Sequence, residues 1–334
     1  MTAKPQPPAD PPIRYLDAYL APLLPVLGRA EVTDVFVNRP GEIWVETIGG
    51  AIERHAMAEL DEARLWLLAR QIASLSHQGI SREYPLLAAT LPDGARVQIV
   101  APPATRGALA LAIRKHVVPD LTLSDYVAEG AFAPTRFSRG KSELRPVDAP
   151  AGNDPAQLAA FLAQLVRARR NIMISGGTST GKTTFLNALI KEIPAEERLV
   201  LIEDTAEVVL AHDNAVALLA VKGALGEAQV NADDLLQAAL RMRPDRIILG
   251  ELRGGEAYTF LRAINTGHPG SLTTIHADSP EGAVEQLALI VLQAGTRLRR
   301  EDIVHYAMST IDAVVQLERR EGRRQIARIM MTRS

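Results

Sequence analysis

The chain has 334 residues, 47% of them hydrophobic and 23% charged, and its 37 Lys and Arg against 39 Asp and Glu give a formal net charge of −2. This length predicts two domains of roughly 150 residues each, and the charge argues against a chain-wide basic surface for nucleic acid but not against a local basic patch. The absence of cysteine excludes disulfide scaffolds, thiol catalysis, zinc fingers and iron–sulfur clusters.

The first half of the chain mixes helical and strand patterns. Residues 1–12 are rich in proline and predict a disordered leader without the apolar core of a signal peptide. An apolar pattern over residues 14–29 predicts a helix that Pro22 and Pro25 make irregular. Together these patterns predict an N-terminal α+β domain over residues 13–136, with a modest sheet. The further elements predicted in it are a hairpin of residues 32–37 and 42–46, a helix over 61–76, and strands at 88–90, 95–100 and 108–114.

The second half alternates strands and helices. Residues 137–153 lack periodicity and predict a linker, after which Asp154 and Pro155 are typical of a helix start. We expect an α/β domain with a mostly parallel sheet over residues 154–334. Its predicted strands are 171–175, 199–203, 246–249 and 271–275, and its predicted helices lie near 182–192, 231–242, 255–265 and 280–293. No uncharged apolar run reaches the roughly 18 residues that a membrane-spanning helix needs, so we expect a cytoplasmic chain, unless it docks on a membrane from that side.

The strongest motif is the segment GGTSTGKT at residues 176–183. It follows an apolar strand, precedes a helix and matches the phosphate-binding pattern G-x-x-x-x-G-K-[ST] in full. Its glycines let backbone N–H groups surround phosphate oxygens, and the helix N-terminus adds positive potential. We expect Lys182 to reach the β- and γ-phosphates and the Thr183 hydroxyl to ligate Mg²⁺. The motif predicts a nucleoside triphosphate site.

Carboxylates follow two of the predicted strands. Glu203 could polarise the attacking water, and Asp204 or Glu207 could hold a metal or its waters; the alternative is a solvated turn after a buried strand. Glu251 follows the apolar run at 246–249 and could act on Mg²⁺ through water, although a glycine separates it from the run. The alternative there is a buried strand with a solvated end.

His276 ends a third pattern, at residues 266–276. It is either a structural histidine or a link between the γ-phosphate and the next helix. Asp278 lies two residues further on, but one carboxylate without cysteine is a poor ligand set, which argues against a structural metal site.

The order of these motifs resembles one family. It runs Gly-Gly-Thr-x-x-Gly-Lys-Thr-Thr, Ile-Glu-Asp, Arg-Pro-Asp-Arg-Ile-Ile-Leu-Gly-Glu-Leu-Arg and Thr-Gly-His-Pro-Gly-x-x-Thr-Thr-Ile-His-Ala. This is similar to the secretion traffic ATPases, most of all the VirB-type ATPases of type IV secretion and conjugation, with type II secretion and type IV pilus motors as relatives. The match is specific over residues 154–318 and looser over the first 140, and the short chain without paired CxxC motifs favours the type IV branch.

The resemblance implies roles for single residues. Glu203 corresponds to the catalytic glutamate of the family's Asp box, Glu251 to the Walker B glutamate that acts on Mg²⁺ with Thr183, and His276 to the histidine of the His box. The nucleotide-binding residues implied are Gly176, Gly177, Thr178, Ser179, Thr180, Gly181, Lys182, Thr183 and Thr184. One departure is that Thr178, Ser179 and Thr180 stand where many relatives have Thr-Gly-Ser, so that the loop lacks one glycine and is expected to be stiffer.

The resemblance also implies that a RecA-like ATPase domain follows the N-terminal domain in the chain, and that six copies of the chain form a ring. Nucleotide would lie between the domains, and arginines of the N-terminal domain would complete the site. Arg96 and Arg114 are the best matches, with an exposed surface arginine as the alternative for each; Arg253 is a further candidate. How the domains of different copies pair across the linker is left open.

We therefore expect a Mg²⁺-dependent ATPase that works as a homohexamer at the cytoplasmic face of the inner membrane with other secretion-system components. Its cargo, DNA or protein effectors, is left open. The rivals are an ATP-binding assembly scaffold with little turnover, a type II secretion or pilus motor, and a RecA-like nucleic-acid motor. Six arginines in the tail at residues 319–333 leave room for nucleic acid, although the tail could equally be an exposed strand or a patch for anionic lipid.

Overall fold

The computed structural model describes residues 11–48, 50–115, 120–138, 152–220, 230–320 and 322–332. The chain divides into two compact units, with the main boundary between residues 117 and 118. The predicted leader and most of the predicted linker, residues 1–10 and 139–151, lie outside the described residues. Residues 11 and 12, which the sequence assigns to the leader, are the first two of a helix.

The first unit contains an antiparallel sheet in the order β3-β2-β1-β6-β5-β4, counted over the described residues. Alternate residues of β1, β2, β5 and β6 are buried against α3, the period-2 pattern of a sheet with one covered face. The side chain of Asp61 accepts the backbone N–H of Arg64 at 2.7 Å and so begins α3. The elements are α1 (Pro11–Leu20), α2 (Leu24–Leu27), β1 (Val32–Val37), β2 (Gly41–Thr47), β3 (Ile52–Met57), α3 (Glu62–Leu75), β4 (Leu86–Thr90), β5 (Arg96–Val100) and β6 (Ala110–Arg114).

The second unit is built on a sheet in the order β10-β9-β11-β12-β8-β13-β14-β7, counted in the same way. All neighbours in it are parallel except β13 and β14, which form a hairpin. Every residue of β8, β9, β11 and β12 is buried, as expected for parallel strands with helices on both faces. The elements are α4 (Leu123–Ala128), β7 (Arg136–Ser138), α5 (Pro155–Arg167), β8 (Ile172–Gly176), α6 (Lys182–Ile190), β9 (Leu199–Glu203), β10 (Ala215–Leu219), α7 (Ala232–Ala239), β11 (Arg246–Leu249), α8 (Glu256–Asn265), β12 (Leu272–Ile275), α9 (Pro280–Gln293), α10 (Arg300–Thr310), β13 (Ala313–Arg320) and β14 (Arg323–Met331).

The predicted α/β class with a smaller α+β domain before it is confirmed, but the boundary differs from residue 136. Residues 120–138 pack in the second unit because their partners lie near its far end. Strand β7 pairs with β14, Phe132 is fully buried in the same core as Ile326, and the Thr135 hydroxyl donates to the Ile326 carbonyl at 2.6 Å. No local pattern shows such distant partners.

Two apolar clusters cover the second sheet. One includes residues of α5 and α6 on one face, and the other includes residues of α8, α9 and α10 on the opposite face. Burial on both faces leaves the carboxyl ends of the strands as the edge where polar side chains gather. Within the described ranges, no helix is both long and apolar enough to cross a bilayer.

Candidate nucleotide-binding site

The glycine-rich loop joins the buried strand β8 to helix α6 and is tightly packed. Gly181, the residue before α6, has φ +92° and Ser179 has φ +61°, so the serine takes a left-handed conformation that glycine adopts more easily. A Cβ on Gly176 would lie 2.5 Å from Thr180 Oγ1 and 3.0 Å from the Leu317 carbonyl oxygen. The close packing of the loop therefore depends on glycine at position 176. Ser179 stands where many relatives have a glycine, and its backbone takes the left-handed conformation itself.

Lys182 is buried and folds back over the loop. Its Nζ donates to the carbonyls of Gly176 at 2.9 Å and Gly177 at 3.2 Å. It also lies 3.3 and 3.4 Å from the two ring nitrogens of His276. The structure thus brings the predicted lysine and the predicted histidine into contact, because β12, which precedes His276, is the neighbour of β8.

Thr183, in the first turn of α6, meets the carboxylate that follows β9. Its hydroxyl donates to Glu207 Oε2 at 3.0 Å. One turn further along α6, Asn187 accepts the N–H of Val209 at 3.1 Å and so holds the segment that carries Glu207. Sequence reasoning missed Asn187, although a polar residue four positions after Thr183 in an apolar helix was an available signal.

Glu203 is the last residue of β9 and is 6% exposed. Its Oε1 accepts the backbone N–H groups of Glu207 and Val208, both at 2.8 Å. Two donors on one oxygen fix the orientation of this carboxylate. Sequence alone placed Glu203 at the edge of the sheet but could not show the loop that holds it.

Glu251, two residues after β11, lies within a charged cluster. Its Oε2 accepts a hydrogen bond from Arg253 at 2.5 Å, and its Oε1 is 2.8 Å from Nε2 of His276. Arg253 is also 3.7 Å from Asp204. Burial lowers the pKa of His276, and Glu251 opposes that shift only in part, so the neutral ring is favoured between Lys182 and Glu251.

Arg96 and Arg114 lie in the first unit, whereas the other candidate residues lie in the second. They are opposite each other on neighbouring strands β5 and β6, so their side chains share one face of the sheet. Arg114 Nε is 3.9 Å from Asp34 Oδ1. Like charges directly opposite each other destabilise a sheet, and Asp34 of β1, which lies opposite Arg114, places a negative charge on the same face.

Two further residues lie at the loop and were not predicted from the sequence to belong to the site. Gln316 of β13 accepts a hydrogen bond from the Ser175 hydroxyl and donates to the Ala277 carbonyl at 3.1 Å, which ties β8 to the segment after His276. Arg324 of β14 packs on Gly181. Both come from the far end of the chain, and no local spacing relates them to the loop.

Around one loop, the second unit therefore gathers a lysine, a threonine hydroxyl, a fixed glutamate and a His–Glu–Arg cluster. Such a set can hold polyphosphate and Mg²⁺ and orient a water molecule. The fold and the loop together define a two-domain P-loop nucleotide-binding protein.

Comparisons with known proteins agree with this class. A model of the family "Type II/IV secretion system protein" matches residues 17–324. The type IV secretion system protein VirB11 of Bartonella henselae is 37% identical over 326 residues, covering 93% of this chain and 91% of that protein. VirB11 of Brucella suis is 41% identical over 307 residues, covering 90% and 84%. The structure of the Legionella pneumophila ATPase DotB has a TM-score of 0.60 at 18% identity, covers 96% of this chain and 81% of its own, and shows the fold alone.

The chain therefore belongs to the Type II/IV secretion system protein family, on the branch of the VirB11 ATPases of type IV secretion systems. The resemblance drawn from the order of its motifs is confirmed.

Proposed function

We propose that this chain hydrolyses ATP with Mg²⁺ and supplies the energy to a type IV secretion machine. The observation that carries the proposal is the convergence of Lys182, Thr183, Glu203, Glu251 and His276 on one loop at one edge of the sheet. A purely structural loop would not need both Glu203 and Glu251. The family membership supports this function, since the similar proteins include the VirB11 proteins of type IV secretion systems.

In this proposal the protein positions the reactants and neutralises charge, because phosphoryl transfer to water needs little else. Glu203, held by two backbone N–H groups, orients the attacking water. Lys182 exchanges its two carbonyl partners for phosphate oxygens and stabilises the charge of the transition state. His276, between Lys182 and Glu251, links the γ-phosphate to the cluster beyond.

The residues present fit a magnesium ion. Thr183 and Glu251 supply the hard oxygen donors that Mg²⁺ prefers, and Glu207 shares the Thr183 hydroxyl. Glu251 Oε1 is buried, and His276 Nε2 lies 2.8 Å from it without a hydrogen bond between the two atoms, so this oxygen can still accept a hydrogen bond from a metal-bound water. When bound, the ion neutralises phosphate charge.

The assembly we propose is a homohexamer at the cytoplasmic face of the inner membrane, in contact with other secretion-system components. Arg96 and Arg114 then contribute the cations that complete the nucleotide site in the ring. Closing one domain on the other as they sense the γ-phosphate is a nucleotide switch of the order-and-hinge type. The proposal leaves the choice between DNA and protein effectors as cargo open, and the charge of the basic tail suits contact with anionic lipid.

The test is steady-state ATP hydrolysis by the purified full chain with Mg²⁺, with the size of each sample measured in parallel. We expect slow turnover by a hexamer, and loss of turnover for both Lys182→Ala and Glu203→Gln. Glu203→Gln should still bind ATP, because its amide keeps the shape of the carboxyl group. Glu196→Gln, at an exposed position, is the matched control and should behave as the wild type.

No turnover in a well-formed hexamer supplied with Mg²⁺, lipid and DNA would replace this proposal by that of an ATP-binding scaffold. Turnover stimulated by DNA alone would favour the nucleic-acid motor. Stimulation by lipid or by partner secretion proteins supports the proposal as stated.

A further inference from the structure

The hairpin of β13 and β14 ends in four arginines that fall on two faces. In its register Arg319 is opposite Arg324, and Arg320 is opposite Arg323. Directly opposite residues share a face, and the next pair along faces the other way. The basic tail that the sequence presents as one patch is thus divided into two pairs of arginines.

The pair of Arg319 and Arg324 lies on the face that α6 covers. Leu317 and Ile326 are paired two positions further into the hairpin, so they share the face of Arg319 and Arg324. Both are buried in the same apolar cluster as Phe185 of α6. The face that carries Arg324 therefore leads directly to the start of α6 and to the glycine-rich loop.

Arg324 packs against the bare backbone of that loop. A Cβ on Gly181 would lie 3.0 Å from Cδ of Arg324, 3.6 Å from its Nε and 3.9 Å from its Cζ. Position 181 is restricted to glycine by its φ of +92° and also by this arginine. The guanidinium group is thereby held beside the loop at the first turn of α6.

The guanidinium group of Arg324 forms no ion pair with any residue in the described ranges. Its side chain is exposed, and none of the ion pairs or hydrogen bonds among those residues involves it. By contrast Arg328, four residues along the same strand, lies 2.7 Å from Glu281. An uncompensated guanidinium against a phosphate-binding loop is suited to an anion, because arginine and phosphate form charge-assisted hydrogen bonds.

The order of the strands in the sheet indicates which part of a bound polyphosphate Arg324 faces. Glu203, Glu251 and His276 follow β9, β11 and β12, which all lie on one side of β8, whereas β13 and β14 lie on its other side. The groups suited to hydrolysis thus flank the loop on the side opposite to Arg324. A polyphosphate whose terminal group meets the carboxylates turns its nucleoside end towards the hairpin.

We propose that Arg324 binds the α- and β-phosphates of the nucleotide, the part that ADP and ATP share. This inference rests on the nucleotide site of the proposed function and assigns to it a residue at the far end of the chain. It also separates Arg324 from Arg320 and Arg323, which lie on the opposite face of the hairpin.

The test is equilibrium binding of Mg-ADP and Mg-ATP to the full chain, measured by displacement of a fluorescent ADP analogue. Arg324→Ala should weaken both nucleotides roughly tenfold, the size of one lost charge-assisted contact, and should make the salt dependence of binding shallower. Arg324→Lys should keep part of the affinity. Arg323→Ala, which removes the same charge from the other face, should bind as the wild type does.

Unchanged ADP affinity in Arg324→Ala, with circular dichroism showing a folded chain, would overturn the inference while leaving the proposed function intact. Weakened ATP with unchanged ADP would also overturn it, because that result moves the contact to the γ-phosphate. Equal losses by Arg323→Ala and Arg324→Ala in binding to vesicles of phosphatidylcholine with phosphatidylglycerol, without any change in nucleotide affinity, would assign both residues to a lipid patch. A wild type that binds neither nucleotide would refute the proposed function first.

Discussion

Strand β11 has a charged group near each of its ends, and the two ends differ in how those charges are satisfied. At its start Arg246 is fully buried and makes a two-pronged ion pair with Glu197, at 2.6 and 3.1 Å. Beyond its end Glu251 meets Arg253 and His276, whose side chains are 48% and 46% exposed. One parallel sheet therefore carries a closed charge cluster on one edge and an open one on the other.

In the closed cluster, the buried polar side chains are held by several hydrogen bonds. Arg246 also donates to the Val166 carbonyl at 2.6 Å. Beside it Asn171 accepts the N–H groups of Gly270 and Ser271 and donates to the Thr310 carbonyl. A buried charge is costly unless its hydrogen bonds are complete, so this edge acts as a fixed support for the sheet.

The open cluster uses the same types of side chain differently. Lys182 holds backbone carbonyls and a histidine, and Glu251 shares its two oxygens between an arginine and that histidine. Arg253 and His276 are about half exposed, and their pairs with Glu251 can be exchanged for phosphate or water at small cost, because pairs with solvent-exposed partners contribute only about 0–1 kcal/mol. The comparison teaches that burial and completeness of hydrogen bonding, rather than charge itself, separate the supporting edge from the reactive one.

Removing Arg246 should have the largest effect. Arg246→Ala leaves Glu197 buried without its partner, and we expect a loss of about 3–5 kcal/mol in the free energy of unfolding. Arg253→Ala, the matched change at the open edge, should cost less than about 1 kcal/mol. Chemical denaturation of the purified variants measures both, and equal losses would remove the distinction between the two edges.

Lys182→Ala should reduce turnover more than stability, in contrast to Arg246→Ala, whose main effect is on stability. Turnover should fall at least about 100-fold, since a cation aimed at transition-state charge is lost, whereas the free energy of unfolding should fall by less than in Arg246→Ala, because no buried carboxylate is left without its partner. Hydrolysis assays and denaturation of one preparation give both values. A large loss of stability with normal turnover would place this lysine with the supporting residues.

Substitutions at two glycines, Gly270 at the supporting edge and Gly177 at the reactive edge, should have smaller effects that also differ between the edges. Gly270 has φ +82°, and a Cβ there would lie 2.8 Å from Nη1 of Arg246 and 2.9 Å from the Cα of Arg169. We expect Gly270→Ala to cost about 1–3 kcal/mol of stability. Gly177→Ala meets nothing closer than 3.9 Å and should leave the thermal midpoint nearly unchanged, while any effect on nucleotide affinity reports on the loop. Similar midpoints for the two variants would contradict this assignment.

The smallest effect concerns pH at the closed edge. Burial raises the pKa of Glu197, but the hydrogen bonds and charge of Arg246 and Arg169 outweigh it, so the pKa lies below its usual value of 4.5. The folded state then binds fewer protons than the unfolded state in this range, and stability falls as pH drops below about 4.5. Denaturation at several pH values should show the gap between wild type and Glu197→Gln narrowing there. A gap that stays constant would show that the pair does not shift this titration.

Much of the fold is predictable because its signals are local. The alternation of buried strands with amphipathic helices, and the segment at 176–183, depend on residues close together in the sequence. The pair of Arg246 with Glu197 and the position of Gly270 against Arg246 are not predictable in this way. Arg246 and Gly270 stand in motifs typical of the family, yet both serve the supporting edge, and only the strand order shows this.

The residue types of the site are predictable from the sequence, but the hydrogen-bond partners of its side chains are not. Glu203 and Thr183 were identified from their motifs, whereas the N–H groups on Glu203 and the role of Asn187 depend on how the segment after β9 turns back. The end of the first unit near residue 117 was missed for the same reason. Phe132 and Thr135 are ordinary loop residues in sequence, and their burial depends on a strand near the other end of the chain.

The pairing of β8 with β13 sets an order for folding during synthesis. The sheet of the first unit is complete once Arg114 has been made, whereas Ile172 in β8 waits for Ala313 before its second neighbour exists. Domains synthesised first generally fold first, and contacts between distant residues form slowly. The phosphate loop is consequently among the first parts of its unit to be translated and among the last to be completed. An incomplete chain on the ribosome therefore leaves one edge of β8 without a strand partner and gains a finished loop only when the closing hairpin is in place.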